Sequence, residues 1–166
     1  PLHSSAASDV YKRQEQTIML GFSDGTKDGG YFMANWSILK AKESLTSISR
    51  KFGIKVVFFD GRGGPPARGG GNTHKFYASL GDFVESDQIQ LTIQGQTISS
   101  NFGTVDSCQY NLEQLLSAGL QNRVLNNDKN NASNYDKAIL EKLANVSYKA
   151  YNLSLIHISE PTRPLR

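Results

Sequence analysis

Arginine side chains set among glycines are the feature of this sequence best suited to bind a small anion. Arg62 and Arg68 lie in residues 61–74, a stretch that contains six glycines and two prolines. Glycine lets the backbone pass close to a ligand and expose its N–H groups, and arginine presents a planar fork that matches phosphate and carboxylate. We call this stretch the glycine loop, and we interpret it as an anion-binding loop between a strand end and a helix start.

Two other interpretations of the glycine loop stay open. It could be a flexible surface loop, since glycine and proline punctuate many such loops. It could also be a nucleic-acid-binding segment, because Arg-Gly-Gly occurs at Arg62 and again at Arg68. Segments of that kind are long, repetitive and set in disordered surroundings, whereas this loop has two copies between ordered elements. We therefore favour the anion-binding interpretation.

A second group of charged residues follows the first predicted strand. Asp24 and Lys27 come after that strand, and Asp60 and Arg62 stand at the end of the second one. If the two strands are neighbours, these charges collect at one mouth. Arginine would clamp a phosphate, a carboxylate could hold Mg²⁺ that keeps its waters, and a lysine could neutralise developing negative charge. Taken singly, each charge could equally be a solvated loop residue.

Three short apolar segments predict the strands that must position these residues. They cover residues 17–22, 55–59 and 89–93, and the last alternates apolar with polar residues, as in a strand with one buried face. Polar, glycine-rich segments follow each strand. Parallel β/α layers and barrels present their chemistry in this way, at the carboxyl ends of the strands. The predicted fold class is therefore α/β, although three strands cannot close a barrel.

Helices are predicted between these strands. Apolar residues spaced by three and four predict a helix over 31–52, with Lys42 off its apolar line and Gly53 ending it. Asn72 or Thr73 is predicted to cap a short helix, and Ser133 is predicted to cap the last one. The remaining predictions are a polar turn at 23–30, a polar approach at 97–104 to a helix around 110–120, and a solvated loop at 126–131.

The two ends of the chain are expected not to be native protein. Residues 9–14 can be written in codons whose reverse complement translates as Leu-Ser-Leu-Ile-His-Ile, the sequence of residues 153–158. Two ends related by inverted complementarity look like one DNA adapter read from both sides. We therefore expect residues 1–14 and 153–166 to be adapter-derived and residues 15–152 to be native. The alternative is a natural amphipathic tail.

Without these ends the chain is almost neutral. The ends carry four basic and two acidic residues, so the formal net charge falls from +3 for the whole chain to +1 for residues 15–152. That balance gives no support for a nucleic-acid or membrane partner, and no apolar run is long enough to span a bilayer. The single cysteine, Cys108, is interpreted as a small helix-face residue; it excludes an internal disulfide and is compatible with a reducing cytoplasm.

Five short motifs stand in a fixed order along the chain. They are GFSDGTKDGG at 21–30, FDGRGG at 59–64, RGGG at 68–71, Thr73-His74 and Gln94-Gly95. In this order and spacing they resemble the phosphoenolpyruvate carboxylase family, over at least residues 17–120. Members of that family are several times longer than this chain, so the resemblance implies an internal fragment.

The resemblance implies a Mg²⁺-dependent enzyme that carboxylates phosphoenolpyruvate with bicarbonate, giving oxaloacetate and phosphate through carboxyphosphate and enolpyruvate. It implies a TIM-like (β/α) barrel within a larger, mostly helical enzyme, of which residues 15–152 would form a partial barrel of about three strands. The parent would be a cytoplasmic homotetramer, and this fragment alone would be inactive. The alternative function is a phosphate- or nucleic-acid-binding module that uses the glycine loop.

The resemblance also assigns roles to individual residues. Asp24 matches the metal-binding aspartate of the family, and Lys27 matches its active-site lysine. Arg62 and Arg68 match the two arginines of the glycine-rich signature, which face phosphate or carboxyphosphate. The substrate would further be bound by their neighbours Gly63, Gly64, Gly69 and Gly70.

The chain departs from the family pattern near the same site. Many members have histidine where this chain has Asp60, and a carboxylate cannot act as a neutral imidazole does, so we predict no catalytic role for Asp60. The second metal carboxylate of the family and its catalytic histidine lie upstream of the residues present here. His74 matches a family histidine, and we interpret it as packing or capping at a helix start.

Overall fold

A computed structural model describes residues 15–124 and 132–159 of the chain. Strands and helices alternate through the first part, and helices alone make up the second. In chain order the elements are β1 (Glu15–Leu20), α1 (Phe22–Gly29), α2 (Tyr31–Phe52), β2 (Lys55–Asp60), a 3₁₀ turn (Pro66–Arg68), α3 (Thr73–Ala78), β3 (Ile89–Leu91), α4 (Gln96–Phe102), α5 (Val105–Val124) and α6 (Asn134–Ser159).

The three strands form one parallel sheet in the order β1-β2-β3. In this register Leu20 lies opposite Asp60, and Asp60 lies opposite Leu91, so the carboxyl ends of all three strands share one edge. The predicted α/β class is confirmed as a mostly helical protein with a parallel sheet. Within the described residues the sheet is open, and the partial barrel stays a prediction.

The central strand β2 carries the core because it is covered on both faces, as strands of parallel sheets usually are. Val56, Val57 and Phe58 are all buried. The core cluster adds side chains from α3, from the segment that follows it and from α5, namely Tyr77, Leu80, Val84 and Ala118. This packing fixes the position of the strand end at which Asp60 and the glycine loop begin.

The long helix α2 has the bounds that its apolar spacing predicts. Gly53 follows it with φ 64° and ψ 25°, the left-handed conformation that ends many helices and that glycine adopts without steric cost. The predicted apolar line is only partly buried, since Ile48 and Phe52 are exposed. Lys42, predicted to lie off that line, is among the most deeply buried residues of the helix.

The predicted polar turn at residues 23–30 is wrong, because residues 22–29 form the helix α1. Phe22 anchors the helix in the core, and Thr26 donates its hydroxyl hydrogen to the Phe22 carbonyl at 2.7 Å. Gly30, with φ 76°, allows the sharp change of direction from α1 into α2. Packing of α1 against α2 therefore overrides the poor helix propensity of three glycines within α1 and at its end.

Two further predictions need correction near the third strand. β3 spans only Ile89–Leu91, and its predicted apolar face is partly exposed because the strand lies at the edge of an open sheet. Residues 97–104 are not merely a polar approach, since α4 occupies most of them and packs against α5.

The last helix, α6, begins at the predicted cap. The backbone N–H of Ser133 donates to Oδ2 of Asp136 at 3.1 Å, and the backbone N–H of Asp136 donates back to Oγ of Ser133 at 3.2 Å. This reciprocal arrangement is a capping box. The helix continues beyond residue 152 to Ser159. The adapter origin of the two ends stays a prediction. Residues 1–14 and 160–166 and the predicted loop at 126–131 lie outside the described residues.

None of the helices in the described ranges combines the length and the apolar character that crossing a bilayer requires.

Candidate functional site

The glycine loop and α1 meet at the carboxyl edge of the sheet. Gly61 donates its backbone N–H to the carbonyl of Leu20 at 2.9 Å, which continues the pairing of β1 with β2 into the loop. On the other side, Thr92 donates to the carbonyl of Asp60 at 3.1 Å. The loop that carries both arginines is thus attached to the ends of both neighbouring strands.

Close backbone packing explains why glycine is required within this loop. A Cβ at Gly63 would lie 1.5 Å from the carbonyl oxygen of Thr92, and one at Gly69 would lie 2.6 Å from the carbonyl oxygen of Phe22. Gly69 also has φ 77°, which side chains rarely permit. The loop is therefore pressed against β3 on one side and against the first turn of α1 on the other.

Arg62 is buried beneath this loop, with 3% of its surface exposed. Its guanidinium carbon lies 4.0 Å from the ring centroid of Phe76 and 5.4 Å from that of Phe22. Its Nε and Nη1 make no hydrogen bond with any described residue. Burial lowers the pKa of this guanidinium, but arginine stays charged at neutral pH. Arg62 is therefore a buried cation with unused donors.

A pocket of about 490 Å³ opens beside Arg62. It lies between the glycine loop, the end of β3 and the helices α4 and α5. Its walls include Gly63, Gly64, His74, Asn101 and Gln114. Amide side chains opposite a buried guanidinium provide polar partners for a small anionic ligand.

His74 lies on the wall of this pocket, at the second position of α3. The predicted cap of that helix is Asn72, whose Oδ1 accepts a hydrogen bond from the backbone N–H of Lys75 at 3.0 Å. Thr73, the other residue considered, is the first residue of the helix. His74 therefore lies at the helix start, as expected, but does not cap it.

Asp24, Lys27 and Arg68 lie apart from this pocket, none of them on its walls. Asp24 and Lys27 stand on the solvent side of α1, with 81% and 59% of their side chains exposed, and form an ion pair of 3.5 Å. Arg68 is exposed at the end of the 3₁₀ turn. The structure thus brings Arg62, Gly63 and Gly64 together, while the other charges lie on neighbouring surfaces.

The described residues supply little of a metal site. Over residues 15–124 and 132–159 there is no group of three or more histidine, cysteine, aspartate or glutamate side chains that could hold an ion. Asp24 is accessible and could donate a single carboxylate oxygen. This suits Mg²⁺, which keeps several waters and shares its coordination with a phosphate-bearing substrate.

Sequence reasoning missed the charge network directly behind Arg62. Nζ of Lys42 donates to Oδ2 of Asp60 at 2.6 Å, and the hydroxyl of Tyr77 donates to the same oxygen at 2.7 Å. Lys42 and Asp60 are each 1% exposed. A signal was present, because an aspartate that directly follows a run of four apolar residues in a strand is expected to be buried and then needs a cationic partner. Lys42 also follows Ile38 by one helical turn, on the buried face of α2.

Burial is the largest cause of the pKa shifts of Lys42 and Tyr77 in this network. Burial lowers the pKa of the Lys42 ammonium, the charge and hydrogen bond of Asp60 oppose that shift, and the nearby charge of Arg62 adds to it. Burial and the Asp60 carboxylate together raise the pKa of the Tyr77 phenol. The three aromatic rings of Phe58, Phe76 and Tyr77 lie within 5.8 Å of the Lys42 ammonium and share in holding it.

A sequence profile described as phosphoenolpyruvate carboxylase matches residues 3–160, nearly the whole chain. The matched region includes α1, the glycine loop and the pocket beside Arg62. This chain belongs to the phosphoenolpyruvate carboxylase family.

Proposed function

We propose that the full-length gene product containing this chain carboxylates phosphoenolpyruvate with bicarbonate, forming oxaloacetate and phosphate. In this reaction bicarbonate attacks phosphorus to give carboxyphosphate and the enolate of pyruvate. Carboxyphosphate then breaks down to carbon dioxide and phosphate, and the enolate captures the carbon dioxide to form oxaloacetate. Family membership supports carboxylase chemistry. The single structural observation that carries the proposal is the buried guanidinium of Arg62 beside a pocket, with two nitrogens that have no partner among the described residues.

Arg62 is proposed to bind the transferred phosphate or carboxyphosphate. A guanidinium in a water-poor environment attracts an anion more strongly than one in bulk water, because the local dielectric is low. The flat faces of Phe76 and Phe22 fix its orientation without using its hydrogen-bond donors. Nε and Nη1 are buried and have no partner among the described residues, so a phosphoryl group that reached them would displace no existing hydrogen bond.

The loop and α1 are proposed to complete the site. Gly63 and Gly64 would present backbone N–H groups to the substrate. Gly69 and Gly70, whose N–H groups already donate to the carbonyls of Pro66 and Pro65, would help the loop to exclude water from the enolate. Lys27 would neutralise negative charge that develops during transfer, and Arg68 would add a second guanidinium when the loop closes. Mg²⁺ would supply positive charge to the phosphate when bound, with Asp24 as one ligand.

Further parts of this proposal extend beyond the described residues. The parent would contain the remainder of a (β/α) barrel, act in the cytoplasm as a homotetramer and supply the rest of the metal site. Residues 15–152 would be the native fragment, inactive when separated from the parent. We expect its partners to be phosphoenolpyruvate and bicarbonate, with neither nucleic acid nor membrane among them.

The test is oxaloacetate formation by the full-length gene product, measured with wild type, Arg62→Ala and Arg50→Ala. Arg50 is the matched control, since it is an exposed arginine paired with Glu85 at 3.2 Å. Loss of Arg62 should lower kcat/KM by at least about 100-fold, the usual cost of removing a charge-stabilising donor. An intact Arg62→Ala variant with wild-type activity would remove Arg62 from the mechanism.

A second assay distinguishes the nucleic-acid alternative. RNA binding by the chain that falls with salt and disappears in the Arg62→Ala, Arg68→Ala double variant would favour a binding module. The burial of Arg62 argues against that outcome, because a guanidinium with 3% exposure cannot reach a nucleic-acid backbone without rearrangement of the loop, whereas a small anion needs only to enter the adjoining pocket.

A further inference from the structure

Three charged side chains are buried together at the end of β2. They are Lys42, Asp60 and Arg62, and no other charged side chain in the described part of the chain is buried. Two cations therefore face one anion in a region with little water. An excess positive charge in such a region attracts an external anion.

The carboxylate of Asp60 forms its ion pair with Lys42 rather than with Arg62. Its Oδ2 accepts hydrogen bonds from Lys42 and Tyr77, whereas its Oδ1 has no hydrogen-bond partner among the described residues. Within the described residues Asp60 and Arg62 form no ion pair within 4.0 Å, although only one residue lies between them in the sequence. Arg62 rests on aromatic rings instead, with its Nε and Nη1 unused.

The pairing of Asp60 with Lys42 leaves the donors of Arg62 available. A buried carboxylate without another partner would be expected to form a bidentate pair with a neighbouring guanidinium. That pair would occupy the donors of Arg62 and cancel its charge. Lys42 removes the need for a pair between Asp60 and Arg62, because its ammonium already neutralises the Asp60 carboxylate at 2.6 Å.

We propose that Lys42 is a positioning residue for anion binding: by holding Asp60, it keeps the guanidinium of Arg62 free for the phosphate group of a substrate. The inference rests on the proposed function for the identity of the substrate, but the site it describes is one for phosphate in general. It also gives Asp60 a role without catalysis, as the counter-charge that keeps Lys42 buried in place.

The proposal predicts opposite effects for the two partners. In Lys42→Met, Asp60 loses its cation and turns to Arg62, so phosphate binding weakens. In Asp60→Asn, no carboxylate can compete for Arg62, so phosphate binding is retained or strengthened. Both variants lose stability, because each breaks the buried ion pair of Lys42 and Asp60. A pair with only a structural role would weaken phosphate binding in both.

The experiment measures inorganic phosphate binding to the full-length protein by calorimetry, together with the KM and kcat for phosphoenolpyruvate. We expect the phosphate Kd and the KM to rise by about tenfold or more in Lys42→Met, equal to one lost interaction of ordinary size. In Asp60→Asn both should stay within about threefold of wild type or fall. The double variant Lys42→Met, Asp60→Asn should return to the Asp60→Asn values.

Two outcomes would overturn the proposal. They are a rise in phosphate Kd in Asp60→Asn equal to that in Lys42→Met, or a double variant no better than Lys42→Met. Should Lys42→Met fail to fold, Lys42→Arg and Asp60→Asn test the proposal instead. The proposal requires both variants to keep the phosphate affinity of the wild type. Absence of carboxylation in wild type would refute the proposed function while leaving the order of phosphate affinities to test this inference.

Discussion

The indole nitrogen of Trp36 donates a hydrogen bond of 2.6 Å to Oε2 of Glu141, which joins α2 to α6 across a large distance in sequence. The same carboxylate oxygen accepts a hydrogen bond of 2.7 Å from Nζ of Lys40. A second link joins Lys137 to Glu43 at 2.7 Å. Polar contacts therefore join the last helix to α2, and one of them involves the fluorescent indole ring of Trp36.

We expect the docking of α6 on α2 to weaken in acid. Hydrogen bonds from Lys40 and Trp36 lower the pKa of Glu141. A depressed pKa means that this stabilisation is complete above the unfolded-state value and disappears as the pH falls through the folded-state value. Because Trp36 is the only tryptophan in the chain, its emission should change in a transition centred below about pH 4.3, the usual value for glutamate.

The matched variants for this acid transition are Glu141→Gln and Glu113→Gln. Glu113 contacts Gln109 on the exposed side of α5 and has no contact with Trp36 among the described residues. The transition in tryptophan emission should be lost in the first variant and kept in the second. A transition unaffected by Glu141→Gln would show that another carboxylate controls it.

Removal of Asp60 should be the most destabilising single change among the described charged residues. Asp60→Ala leaves the ammonium of Lys42 buried without its 2.6 Å partner, and breaking a buried pair on one side costs about 3–5 kcal/mol. The double change Lys42→Met, Asp60→Leu should cost less than Asp60→Ala alone, since no uncompensated charge remains. Chemical denaturation of the full-length protein measures both, and equal losses would contradict the account.

Local signals account for the parts of the fold that could be predicted. The spacing of apolar residues over 31–52, the glycine at 53 and the capping side chains of Asn72 and Ser133 each act within a few residues. Neighbouring residues therefore contain the information needed. The same holds for β2, whose unbroken apolar run reports burial on both faces.

Contacts between elements that are distant in sequence account for the parts of the fold that could not be predicted. Residues 22–29 are helical because Phe22 is buried against other elements, among them Phe76, whose ring centroid lies 5.6 Å away. Arg62 is buried because rings from α1 and α3 enclose its guanidinium. Lys42 is buried because Asp60, 18 positions away, supplies its counter-charge. Composition alone places such charges in solvent.

Adding one methyl group at Gly63 should disrupt the glycine loop, whereas adding it at Gly64 should not. In Gly63→Ala the new Cβ would meet the carbonyl of Thr92 at 1.5 Å, and in Gly64→Ala its nearest neighbours would be 3.7 Å away. The first variant should lose about 3 kcal/mol or more of unfolding free energy, at or above the usual cost of overpacking. The second should stay within about 1 kcal/mol of wild type. Equal stability of the two in denaturant would mean that the loop is not pressed against β3.

Lys27→Ala in the full-length protein should lower turnover by orders of magnitude and leave stability almost unchanged. The ammonium of Lys27 is largely exposed, and its ion pair with Asp24 is long at 3.5 Å. Exposed pairs of this kind contribute at most about 1 kcal/mol to folding. A charge positioned to stabilise a developing anion contributes far more to the rate. Lys149→Ala, at an exposed lysine of α6, is the control and should keep wild-type kcat. A normal kcat in Lys27→Ala, with the melting temperature unchanged, would show that this exposed lysine takes no part in phosphoryl or carboxyl transfer.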